Sequence, residues 1–221
     1  PGWQRTIEPM LQYLRSQQFT EAHGWKREDA AYGAWGMGGV ELTPPNAGHV
    51  DISMTRHVLE AFAVAGAKAD DPALQRAAVF LDRCQNDYGG FYFSTVVLDA
   101  NKAGETAKGY RSYGTATADG ILASLAIGRG RDHAHVKTAL AWLTNRHSKT
   151  GATGFSGDAY KRWPLGLRFY YAAASHAAEA SLHSSLTADQ RPDGSWSNPE
   201  SLVKEDDPLI ATTFAIMSLM R

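Results

Sequence analysis

The chain predicts an all-α fold in two layers, with apolar inner helices surrounded by amphipathic outer ones. Three observations carry this. Some stretches are apolar at helical spacing on one side only, and such a helix keeps one wet face. Others are apolar or small on every side, and such a helix must be surrounded. Between the two kinds stands a glycine-aromatic turn, and the whole arrangement recurs along the 221 residues. Self-similarity at this spacing is the mark of a repeat architecture, here with a helical hairpin as its unit.

Residues 190–221 give the clearest copy. Gln190-Arg191-Pro192-Asp193-Gly194-Ser195-Trp196 is turn chemistry: Pro192 presets φ, Asp193-Gly194 reverses the chain and Trp196 anchors it. Asp207-Pro208 then marks a helix start, an acidic N-cap followed by proline at the first helical position. From Leu209 to Met220 nearly every side chain is apolar or small, which predicts a buried helix.

The earlier copies follow in order. Ile7, Met10, Leu11 and Leu14 form a stripe running to Gln17-Gln18; Trp35-Gly36 and Gly38-Gly39 follow, then an inner helix opening at Asp51-Ile52-Ser53-Met54-Thr55. Asp71-Pro72 caps a second stripe of Leu74, Ala77, Ala78 and Leu81 that ends at Cys84-Gln85. Its turn is Asp87-Tyr88-Gly89-Gly90-Phe91, and residues 112–127 are its inner helix. A third stripe, Val136, Ala139, Leu140 and Leu143, leads to Gly154-Phe155 and an inner helix over 164–174. The fourth outer helix is weak, spanning 177–190 with Leu182 and Leu186 as its large apolar residues. The units are 5–66, 71–128, 132–175 and 177–221 of one repeat domain, complete or part of a longer chain. Helices of about 14–17 residues span roughly 21–26 Å, one layer of a compact barrel.

Three long loops, 21–48, 95–111 and 148–163, each precede an inner helix and therefore gather at one end, where local function is expected. In the second of these, residues 96–98 read as a short strand or a lid. The hydrophobic fraction of 43% is sufficient for a core. A net charge of −1 gives no electrostatic case for nucleic acid or an anionic membrane surface. No run of about 18 apolar residues is present, so no membrane span is expected. The single cysteine excludes an internal disulfide. With neither a signal pattern nor an initiator Met at the start, the compartment stays open: cytoplasmic, or exported with the signal removed.

The segment from Gln190 to Trp196 resembles the Gln-Trp repeat motif of the squalene/hopene cyclase and protein prenyltransferase β-subunit superfamily. Gln85 to Phe91 and the turns at Trp35 and Phe155 are weaker copies. The inner-helix openings at Asp51, at Ser112-Tyr113-Gly114-Thr115 and at Asp206-Asp207-Pro208 resemble bacterial prenyltransferase/squalene oxidase repeat proteins. The resemblance covers nearly the whole chain and implies an α-α toroid around a central apolar cavity. It also implies a ligand of isoprenoid type or a protein partner at the loop-rich end. Fold does not fix activity.

Cyclases of that superfamily protonate an alkene from an acidic Asp-x-Asp-Asp-Thr motif. Here Asp51-Ile52-Ser53-Met54-Thr55 keeps one carboxylate, and Lys204-Glu205-Asp206-Asp207 has lysine in the first position. Helix capping accounts for Asp51 and Asp207 without any substrate. Asp206, beside the capping Asp207, is free to point elsewhere. Asp119 lies in an otherwise small and apolar helix, where a carboxylate must be paired or line a wet cavity. Asp119, Asp206 and Asp51 are therefore the candidate acids. The prenyltransferase zinc set is not found: Asp82-Arg83-Cys84 ends an outer helix with no His in the expected context, and Cys84 reads as a small core hydrophobe. No metal and no cofactor is expected.

Trp35, Tyr88, Phe91 and Phe155 from the turns, with Trp196, are candidate ligand contacts. So are His57, Tyr113 and Tyr170 from the inner helices, and core packing explains the aromatic residues equally well. A carbohydrate-active reading would use paired carboxylates such as Asp87 and Asp158 across an open aromatic cleft.

Overall fold

The computed structural model describes residues 3–37 and 43–220; the glycine pair Gly38-Gly39 lies outside the described residues. The structure is mostly helical. Its helices are α1 (Gln4–Ser16), α2 (Ile52–Val64), α3 (Pro72–Cys84), α4 (Gly114–Ala126), α5 (Ala134–Asn145), α6 (Trp163–Gly166), α7 (Arg168–Ala178) and α8 (Pro208–Leu219). A two-stranded antiparallel hairpin, β1 (Glu105–Thr106) and β2 (Gly109–Tyr110), lies in the loop before α4. Acidic N-caps start three helices: Asp51 accepts from the Met54 amide, Asp71 from Ala73 and Asp207 from Leu209. No helix among the described residues is long and apolar enough to cross a membrane.

The inner helices pack in sequence order, α2 on α4, α4 on α7 and α7 on α8, while α3 and α5 back α4. α4 is thus covered on several sides, which is why its sequence shows no polar face. Its small residues bring neighbours close. A Cβ at Gly120 would lie 2.4 Å from the Phe91 ring, and one at Gly114 would lie 2.4 Å from the Tyr171 ring. Fully buried Ile52, Leu59, Phe62, Leu74, Leu81 and Ile121 belong to one hydrophobic core shared by α2, α3 and α4.

The same hydrogen bonds recur in successive units. The Trp35 amide donates to Thr55 Oγ1, Phe91 to Thr117 and Trp196 to Thr212, so these three turn aromatics each hang from a threonine of the following helix. Both tryptophan indoles donate to a leucine carbonyl of the preceding outer segment, Trp35 to Leu14 and Trp196 to Leu186. Four residues after Leu14, Gln18 Nε2 donates to the Gly33 and Ala73 carbonyls, and four after Leu81, Gln85 Nε2 donates to those of Gly89 and His135. One bond closes the unit's own turn, and the other holds the first turn of the next outer helix. In the third unit His147 takes this place, with Nε2 3.0 Å from the His183 carbonyl. Gln190 makes the turn bond, to Gly194.

The structure departs from the sequence reading at several places, and in the first stripe Ile7 and Met10 are exposed. Residues 179–190 form no α-helix, only a short 3-10 turn at Thr187–Asp189, although Leu182 and Leu186 are buried as expected. Serines compete for backbone partners there, and Glu179 accepts from both the amide and the hydroxyl of Ser181. α8, apolar on all sides, is covered on one face only: Ala211, Ala215 and Ser218 are buried, whereas Leu209 is 76% and Met220 78% exposed. α4 has a helical neighbour on each side, while α8 has α7 on one. The third inner helix is broken at Leu167 into α6 and α7 and continues to Ala178. Residues 96–98 are not a strand; a 3-10 turn, Leu98–Ala100, leads into the β1–β2 hairpin.

Candidate functional site

The N-terminal ends of α2, α4 and α7 and the loops before α4 and α8 line an open cavity of about 320 Å³. That volume is within the range of small-molecule sites. Its wall is mainly apolar: Met54 from α2, Phe93, Tyr113 at the start of α4, Leu167, Val203 and Phe214 from α8. Polar groups enter at Ser53, His57, Thr115, Tyr170, Lys102 and Glu205. Two of the three long loops meet here, the second and the third. Lys102 of the second loop places Nζ 3.7 Å from the centre of the Phe93 ring and 5.9 Å from that of Trp163, which ends the third.

Beneath this wall Asp119 is fully buried and fully engaged. Its Oδ1 accepts from Arg56 Nη1 at 2.9 Å and from the Tyr170 hydroxyl at 2.7 Å, and its Oδ2 accepts from Ser53 Oγ at 2.5 Å. Arg56 Nε also pairs with Glu60 at 3.0 Å. Burial opposes the guanidinium charge, yet the carboxylates raise its pKa overall. The Tyr170 hydroxyl is pushed well up, by burial first and then by Asp119, so it remains a donor. Asp119 is thus an ion-paired carboxylate whose oxygens are taken by three donors.

Asp51 caps α2 and meets His49 Nε2 at 2.9 Å. Burial raises its pKa, against the opposing pull of the Met54 amide and His49. Asp206 is exposed and outside the cavity wall. Its neighbour Glu205 is the buried group. Glu205 accepts from the Phe169 and Tyr170 amides at 2.9 and 2.8 Å and from Asn198 Nδ2 at 3.1 Å. It therefore holds the N-terminus of α7, and burial raises its pKa despite these bonds. The spacing of Asp207-Pro208 drew attention to the wrong member of this acidic run. Nothing local in the sequence marks Glu205 as the one that turns inward. Arg56 was legible in principle as the one cation within 52–64, facing one carboxylate in the next inner helix.

Of the candidate ligand contacts, His57, Tyr113 and Tyr170 line the cavity. His57 is exposed at the cavity's rim. Phe155 packs behind it, 5.3 Å from Tyr113 and stacked on Trp163. Trp35, Phe91 and Trp196 are buried turn anchors. Tyr88, 68% exposed, belongs instead to an open groove on the outer side with Asp87, Arg111, Trp142 and Arg146. Asp158 does not line that groove, so the two acids of the carbohydrate reading are not gathered there. Cys84 is fully buried and its thiol pushed up by burial, while Asp82 turns outward to Arg129 at 2.7 Å. The Asp82–Cys84 pair therefore diverges. No family model and no curated protein matches this chain.

Proposed function

We propose that the chain is a helical-repeat domain of the cyclase and prenyltransferase type, curved as an α-α toroid, that binds an apolar ligand of isoprenoid character. The observation that supports this reading is the mainly apolar cavity of about 320 Å³ at the loop-rich end of the inner helices. A preformed pocket lined by aromatic and aliphatic side chains, with a few polar groups at its edge, suits such a molecule. The acid-initiated cyclase reading has weaker support, because Asp119 is ion-paired, Asp51 caps a helix and Asp206 is outside the wall.

Titration calorimetry with farnesol tests the proposal. Saturable binding with a negative heat-capacity change is expected, and Leu167→Trp, which fills the cavity, should abolish it. Equal binding by the folded Leu167→Trp variant, or no binding by the unaltered chain, would overturn the reading.

A further inference from the structure

Lys102 is the group in the cavity wall that neither the fold nor an ion pair explains. Its ammonium is half-buried, faces the Phe93 ring and gives a long 3.4 Å hydrogen bond to the Ala100 carbonyl. No carboxylate among the described residues lies within salt-bridge distance of it. An ammonium has three donors, and a carbonyl with an aromatic face leaves one of them open.

The acidic groups nearby are already occupied. Asp119 is held by Arg56, Ser53 and Tyr170; Asp51 by His49 and the Met54 amide; Glu205 by two α7 amides and Asn198. Burial lowers the pKa of Lys102, and the more distant charges of Asp51 and Asp119 offset this only in part. A lysine bearing this cost beside an apolar chamber is matched by a ligand with one negative charge and an apolar body.

We infer that the cavity takes a carboxylate-headed amphiphile, its head on Lys102 at the rim and its chain among Met54, Tyr113, Leu167 and Phe214. One unpaired ammonium selects a single negative charge, and a carboxylate accepts the open N–H in a charge-assisted bond. The head group displaces no existing ion pair. This inference rests on the apolar-ligand reading above, and the probes separate the two.

The experiment compares decanoate, decanol and methyl decanoate by titration calorimetry on the full chain and on Lys102→Met. Decanoate should bind at least about tenfold more tightly than the two neutral probes. Lys102→Met should remove that preference while leaving decanol affinity within about twofold, which also shows that the variant is folded and its cavity intact. Equal affinity for all three probes would overturn the head-group assignment and leave the apolar site standing. A preference for decanoate that survives in Lys102→Met would overturn the role of Lys102. If none of the three binds, the apolar-ligand reading fails and the inference with it.

Discussion

Asp119 on α4 and Arg56 on α2 form a 2.9 Å salt bridge between adjacent inner helices, with side chains 1% and 10% exposed. Removing one member of a buried pair strands the other charge, which costs about 3–5 kcal/mol. Arg56→Met and Asp119→Leu should each lower the unfolding free energy by that order. The double variant should recover part of the loss, because no unpaired charge remains. Urea titration of the four proteins gives the coupling, and strictly additive losses would show the pair to be independent.

Lys102 predicts a pH dependence. Its folded pKa is below the unfolded value because burial disfavours the ammonium, so the folded state binds fewer protons between the two. Stability should therefore rise as pH increases from the folded pKa towards the usual 10.5. Lys102→Met should be more stable than the unaltered chain at pH 7, and the gap should narrow by pH 10. Melting curves at the two pH values test this. A variant less stable at pH 7 would mean that the ammonium holds the loop together.

The glutamine clamps should differ between units. Gln18 is buried and holds two carbonyls, Gly33 and Ala73, whereas the exposed Gln190 holds Gly194. Gln18→Ala should cost about 2 kcal/mol and Gln190→Ala less than about 1 kcal/mol, since an intramolecular hydrogen bond contributes about 1 kcal/mol net and a buried orphaned partner costs more. Comparable losses would show the second bond to be incidental.

Gly120 tests the close approach of α4 to its turn. Alanine there places Cβ 2.4 Å from the Phe91 ring, an overpacking expected to cost about 1–3 kcal/mol. Phe91→Leu in the same chain should return part of it. An unchanged melting temperature in Gly120→Ala would mean that the ring has room to move.

How much was legible follows from which forces are local. The Asp-Pro starts of α3 and α8 and the Asp51 cap were readable because capping involves residues two or three apart. The covered face of α4 was readable because its composition leaves no side for water. The same argument failed for α8, whose apolar surface is half uncovered, because periodicity reports what a helix can bury and not which neighbour is present. Residues 179–190 failed for a different reason: two well-placed leucines bury without a helix when serines offer the backbone other partners.

The sequence by itself determined most of the helices, their order and the recurring turn chemistry, since propensity, capping and apolar period are encoded over a few residues. Only the tertiary structure decided that Asp119 meets Arg56 rather than a substrate, that Glu205 and not Asp206 turns inward, and that Lys102 faces an apolar pocket with no carboxylate partner among the described residues. Each of those outcomes depends on residues tens of positions apart, brought together when the inner helices pack.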